Sequence, residues 1–196
     1  MPLEIIAPAE NHRLTTIATV RAETGMDPDQ LDDAAVGALI DQASGLVAEH
    51  CNRIFAREKV KETFPCPTGR ALILNRTPVV SVDGVVGAGG AGYSLDPAAG
   101  LVYRTSGHWS GVTSITYTAG YSLPGETGRD LPMRVERATV LIAAVIISNR
   151  QRDALVKSVT VDGIGRTDYW LAGQTSSLNH PEAEALLAPL VRPGVA

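Results

Sequence analysis

From Leu31 to about Phe55 the apolar residues Val36, Ile40, Ala43, Val47, Cys51 and Ile54 recur at steps of four and three. That spacing lays them along one stripe of a helix, with Asp32, Asp33, Asp41 and Glu49 largely off it. Small residues such as Ala34, Gly37, Ala43, Ser44 and Gly45 lie among them and would let another helix come close. Upstream, Asp27-Pro28-Asp29-Gln30 reads as a helix start: Asp27 caps, Pro28 fits the first turn and Gln30 reaches back. Before it, Thr15 or Thr16 caps a short helix that runs to about Thr24 and stops at Gly25. A second strong stripe, Val135, Ala138, Leu141, Ile142, Val145 and Ile146, follows Leu131-Pro132 and runs to about Arg150. This helix is expected to pair with the Leu31–Phe55 helix as the core.

Between the two helices the period changes. Val60, Glu62 and Phe64, then Ala71 to Leu74, then Val79 to Val82, alternate or run apolar in short pieces divided by Pro65, Pro67, Gly69 and Pro78. Tyr93 to Asp96, Gly100 to Arg104 and Val112 to Thr118 supply further strands, and Gly84 to Gly92 reads as a glycine-rich hairpin end. The block is a small antiparallel assembly. Beyond Arg152, Val159, Val161 and Ile164 alternate weakly around Gly163 and Gly165, Tyr169-Trp170 follow, and Pro181 to Leu190 can form one short helix.

The predicted class is therefore α+β: a helical bundle core with an inserted antiparallel β-region and an extended C-terminal arm. Residues 1–13 form an extended lead-in. Residues 14–152 form the main domain, with helices in 14–57 and 131–152 and the β-insertion in 58–121. Residues 153–196 are the arm and the terminal helix.

Charge and composition narrow the chemistry. A formal charge of −4 and a pI near 5.5 argue against holding nucleic acid through phosphate neutralisation. Two cysteines are too few for a disulfide framework and read as free thiols. The N-terminal stretch has neither a basic leader nor a long apolar core, and the longest apolar run, Val140 to Ile147, is too short to span a bilayer. The expectation is a soluble chain without a cleavable leader or a membrane partner.

Catalytic readings find little support. His50-Cys51 pairs a base with a nucleophile by type, but adjacent helical residues point about 100° apart. The four histidines lack ligand spacing, and the Gly87–Gly92 run lacks the lysine and following helix of a phosphate cradle. No catalytic residue, metal ligand or cofactor is assigned. Trp109 reads as an anchor closing the small sheet. Trp170, with Arg166 nearby in a polar stretch outside the apparent core, reads as an anchor on a neighbouring molecule.

An ordered set of segments resembles the phage head–tail connector, or adaptor, proteins that sit beneath the portal in tailed phages and gene transfer agents. It comprises Leu14-Thr-Thr-Ile-Ala-Thr-Val-Arg-Ala22, His50-Cys-Asn-Arg-Ile-Phe55, Leu72-Ile-Leu-Asn-Arg-Thr-Pro-Val-Val-Ser-Val82, Tyr93-Ser-Leu-Asp96, Gly100-Leu-Val-Tyr103, Trp109, Ile115-Thr-Tyr-Thr-Ala-Gly-Tyr121 and Leu131-Pro132. The resemblance implies a non-enzymatic virion protein, assembled in the bacterial cytoplasm into a ring of twelve on the portal. The ring would extend the DNA channel, pass DNA without reading its sequence, and receive a tail or stopper protein. The arm residues Val159, Val161, Ile164, Arg166, Tyr169, Trp170 and Leu171 would contact the portal. The rival readings are another junction component, a stopper or tail terminator, and a small hydrolase using Cys51 or Cys66.

Overall fold

A computed structural model of the chain describes residues 2–87, 92–150, 158–161, 165–168, 178 and 180–192. In chain order its elements are β1 (Leu3–Ala7), α1 (Ile17–Thr24), α2 (Asp33–His50), β2 (Glu58–Phe64), β3 (Ala71–Ile73), β4 (Val79–Val86), β5 (Tyr93–Asp96), β6 (Leu101–Arg104), β7 (Thr113–Ala119), α3 (Met133–Arg150), β8 (Ser158–Val161), β9 (Gly165–Asp168) and α4 (Pro181–Leu187). The class is α+β, with helices and antiparallel sheet as the patterning predicts. The chain divides into two units, Met1–Asn11 with Ile54–Asp130, and His12–Arg53 with Leu131–Ala196.

The first unit holds two antiparallel sheets, one of four strands in the order β1-β2-β7-β4 and one of three in the order β3-β6-β5. Strict alternation in β2 and β7 turns Val60, Phe64, Ile115 and Tyr117 to one side, where they meet Leu72 and Val102 of the smaller sheet. Trp109 closes this core, 1% exposed, with its indole N–H donating to the Arg70 carbonyl at 3.1 Å and Arg104 over its ring. Two readings change here. The lead-in contains β1, which pairs with β2. Gly84 to Val86 belong to β4, whose partner is β7 and not β5, so β4 and β5 do not form a hairpin. Of those glycine-run residues, 88–91 lie outside the described ones.

In the second unit α1 keeps its predicted ends, with Thr16 as cap and Gly25 in the left-handed conformation. Helix α2 begins later than read. Gln30 does reach back to the Asp27 N–H at 3.3 Å, but this closes only a turn. The Arg21 guanidinium takes the Leu31 carbonyl at 2.7 Å, and the helix starts where Asp32 accepts from the Ala35 N–H at 2.7 Å. It also ends earlier, at His50. Asn52 turns left-handed (φ 48) and the Asn52 and Arg53 N–H groups return to the Glu49 and Ala48 carbonyls, a Schellman stop.

The small residues of α2 also serve the incoming chain. The Arg13 guanidinium lies over Gly37 to reach Asp41 at 2.7 Å, and the Leu14 N–H donates to Ser44 Oγ at 3.0 Å. That ion pair holds the Asp41 carboxyl below the usual carboxylate range. On α3 the buried surface is far wider than one stripe, Ala138 through Ala143 without interruption, because α1, α2 and α4 all pack on it. Within 153–196, then, α4 rests on its own unit. Leu178, Ala183 and Leu187 are buried, and the Arg192 N–H donates to the Cys51 carbonyl at 3.1 Å.

Candidate functional site

The residues assigned to partner binding divide in two. Val159 and Val161 lie in β8 and Arg166 in β9, whereas Ile164, Tyr169, Trp170 and Leu171 fall outside the described residues. The two strands pair antiparallel, Ser158 opposite Asp168, Thr160 opposite Arg166 and Val161 opposite Gly165. They extend neither of the other sheets. A two-stranded ribbon of this length buries too little to be stable alone in water.

The two cysteines sit in different surroundings. Cys51 caps α2 and is fully buried, and burial pushes its thiol up to about 11, against a smaller pull from the Arg53 charge. A thiol so shielded is protonated and inert. Cys66 is exposed on the wall of a shallow groove of about 310 Å³ between Phe64 and Ile73, which has no base in its lining. A second cavity of about 360 Å³, lined by Met26, Gln30, Leu31, Ile147 and Arg150, holds no nucleophile–base pair either. Among the described residues no cluster of three His, Cys, Asp or Glu could hold a metal, and no helix is long and apolar enough to cross a membrane. At about pH 8 a maleimide is expected to modify one thiol of the native chain, Cys66, and the second only after denaturation. Mass spectrometry reads this directly, and a doubly labelled native chain would show Cys51 to be accessible.

The alternation in β2 concealed a polar centre. Glu62, in phase with Val60 and Phe64, is 0% exposed. Its carboxylate accepts from the Asn75 N–H at 3.0 Å, from Asn75 Nδ2 at 2.7 Å and from the Tyr117 hydroxyl at 2.9 Å. The Tyr117 oxygen in turn accepts from the Arg76 N–H at 3.2 Å. Burial, and then the Glu62 charge, raise the Tyr117 phenol well above its ordinary range. Both oxygens of this carboxylate are engaged by its own unit, so the group is a clamp on the Asn75–Arg76 loop. The sequence signal was a glutamate at an inward position of a strand.

The exposed large apolar side chains are the other feature that sequence reasoning missed. They include Ile5 and Ile6 on β1, Val80 and Val86 on β4, and Ile73 and Tyr103 on the smaller sheet.

No protein-family profile and no curated protein sequence matches the chain. Among solved structures it is similar to a chain in the neck of an empty gene transfer agent particle computed with C6 symmetry, with 18% identity and a TM-score of 0.64, covering 100% of this chain and 98% of that one. The neck of the native particle computed with C12 symmetry and the native gene transfer agent virion give TM-scores of 0.61 and 0.62 at the same identity and coverage. The chain thus shares its fold, along its whole length, with components of a gene transfer agent neck.

Proposed function

We propose that this chain is a structural protein of a head–tail junction, an adaptor that assembles as a ring beneath a portal, prolongs the DNA channel and offers a docking surface for the tail or stopper. The observation that carries this is the end-to-end fold likeness to neck chains of the gene transfer agent particle. Two 18-residue helices, α2 and α3, favour an adaptor over the β-dominated stoppers and terminators. The net charge of −4 suits a channel wall that does not grip passing DNA. In this reading the arm is the stretch between α3 and α4, with Val159, Val161, Ile164, Arg166, Tyr169, Trp170 and Leu171 meeting the portal and the β8–β9 ribbon steadied by that contact.

The test keeps α4, because its removal would uncover α3. With residues 153–177 replaced by a Gly/Ser linker of equal length, the chain is expected to retain its helical circular dichroism and to lose attachment to the purified portal of its own particle. Normal attachment of that variant would remove the arm from the portal contact. Electron microscopy of the unaltered chain with the portal is expected to show a ring of twelve copies; a chain that binds only a portal already carrying another ring would be a stopper.

A further inference from the structure

The four-stranded sheet ends in two bare margins. β1 has β2 on one side and β4 has β7 on one side, and no described residue pairs along the other side of either strand, apart from the Val79 N–H, which donates to the Pro97 carbonyl at 2.8 Å. Both margins carry exposed aliphatic side chains, Ile5 at 48% and Ile6 at 47% on β1, Val80 at 50% and Val86 at 70% on β4. The inner strands β2 and β7 carry none. A free edge on a solitary subunit is normally blunted by lysine, proline, β-bulges or a covering element. Here both strands carry bulges, but the charges are few: β1 has Glu4 alone, and Asp83 of β4 is engaged by Lys59 at 2.8 Å.

Strand direction makes the two margins complementary. Each neighbouring pair in the sheet is antiparallel, so β1 and β4 run in opposite senses. A copy laid edge-on beside another therefore sets its β4 antiparallel to the neighbour's β1, as in every pair within the sheet. A two-fold β1–β1 contact would leave both β4 margins bare. Head-to-tail contact covers both margins in each copy, and a rotation that closes makes a ring. Bulges between Ile5 and Ala7, between Val79 and Ser81, and between Val82 and Gly84 leave Leu3–Ile5 and Gly84–Val86 as the longest uninterrupted pieces.

We infer that β1 of one copy pairs with β4 of the next, carrying the four-stranded sheet across the subunit boundary. This rests on the ring proposed above and names its interface. The test uses two full-length chains, both with Cys66→Ser, one with Ile5→Cys and one with Val86→Cys, mixed under assembling conditions with and without the portal and treated with a short bismaleimide. Covalent dimers are expected from the mixture and not from either chain alone, and a chain carrying both cysteines is expected to give a ladder of multimers. Ile5→Lys and Val86→Lys should each abolish multimers while leaving the melting temperature unchanged. Multimers without β1–β4 cross-links, or with links from one chain alone, overturn the interface and leave the ring standing. A chain that forms no multimers in either condition overturns both.

Discussion

Glu62→Leu is expected to destabilise the first unit by about 2–3 kcal/mol. Leucine fits the apolar surroundings, so the loss comes from the donors left behind. The Asn75 N–H, Asn75 Nδ2 and the Tyr117 hydroxyl all point at one carboxylate; without it the exposed Asn75 can turn to water, while the Tyr117 hydroxyl stays buried without its acceptor. The Asn75–Arg76 loop then loses its attachment to β2. Tyr117→Phe removes one bond to Glu62 and the acceptor of the Arg76 N–H, with an expected loss of about 1–2 kcal/mol. Glu62→Gln lies between, since one amide oxygen remains while an amino group faces donors. Urea denaturation followed by Trp109 fluorescence, in a Trp170→Phe background, reads these differences. Equal stability of Glu62→Leu and the unaltered chain would show that the clamp contributes nothing net.

Gly120→Ala is expected to be of comparable size, above about 3 kcal/mol, from a single added carbon. Gly120 follows β7 at φ +106, where a side chain is already strained, and its N–H donates to the Pro78 carbonyl at 2.9 Å. A Cβ there would run into the Ala56 carbonyl and come to 2.9 Å from the Phe55 carbonyl. Neither can yield easily. Tyr121 donates its N–H to the Phe55 carbonyl at 2.8 Å, and the two rings stack with centroids 6.4 Å apart. Gly128, at φ +75 with open space where a Cβ would go, separates strain from collision. Gly128→Ala should cost about 1 kcal/mol. On a unit of this size the difference between the two variants corresponds to a melting temperature about 8 °C or more lower for Gly120→Ala. Matching melts would mean that the chain relaxes around position 120.

The helical stripes and the strand pieces were legible because burial imposes its period on the residues that undergo it. Val36, Ile40, Ala43 and Val47 face inward on α2 as their spacing requires, and the alternation of Val60 and Phe64 marks β2. Trp109 was legible as an anchor because an indole needs both an apolar site and an acceptor. Boundaries were less so. The start of α2 depends on Arg21, far back in α1, taking the carbonyl of Leu31, and no local signal at Asp27–Gln30 could reveal that competitor.

The sequence by itself determined the α+β class, the two long helices with strands between them, and the stop of α1 at Gly25, since each of these follows from neighbours within a few residues. Tertiary structure alone decided that α3 is enclosed by three helices, that α4 returns to its own unit, that Glu62 is a buried clamp, and that β1 and β4 form the two open margins of one sheet. The reason is physical: which strand pairs with which, and which face a helix covers, depends on contacts between residues dozens of positions apart, and local periodicity carries no record of them.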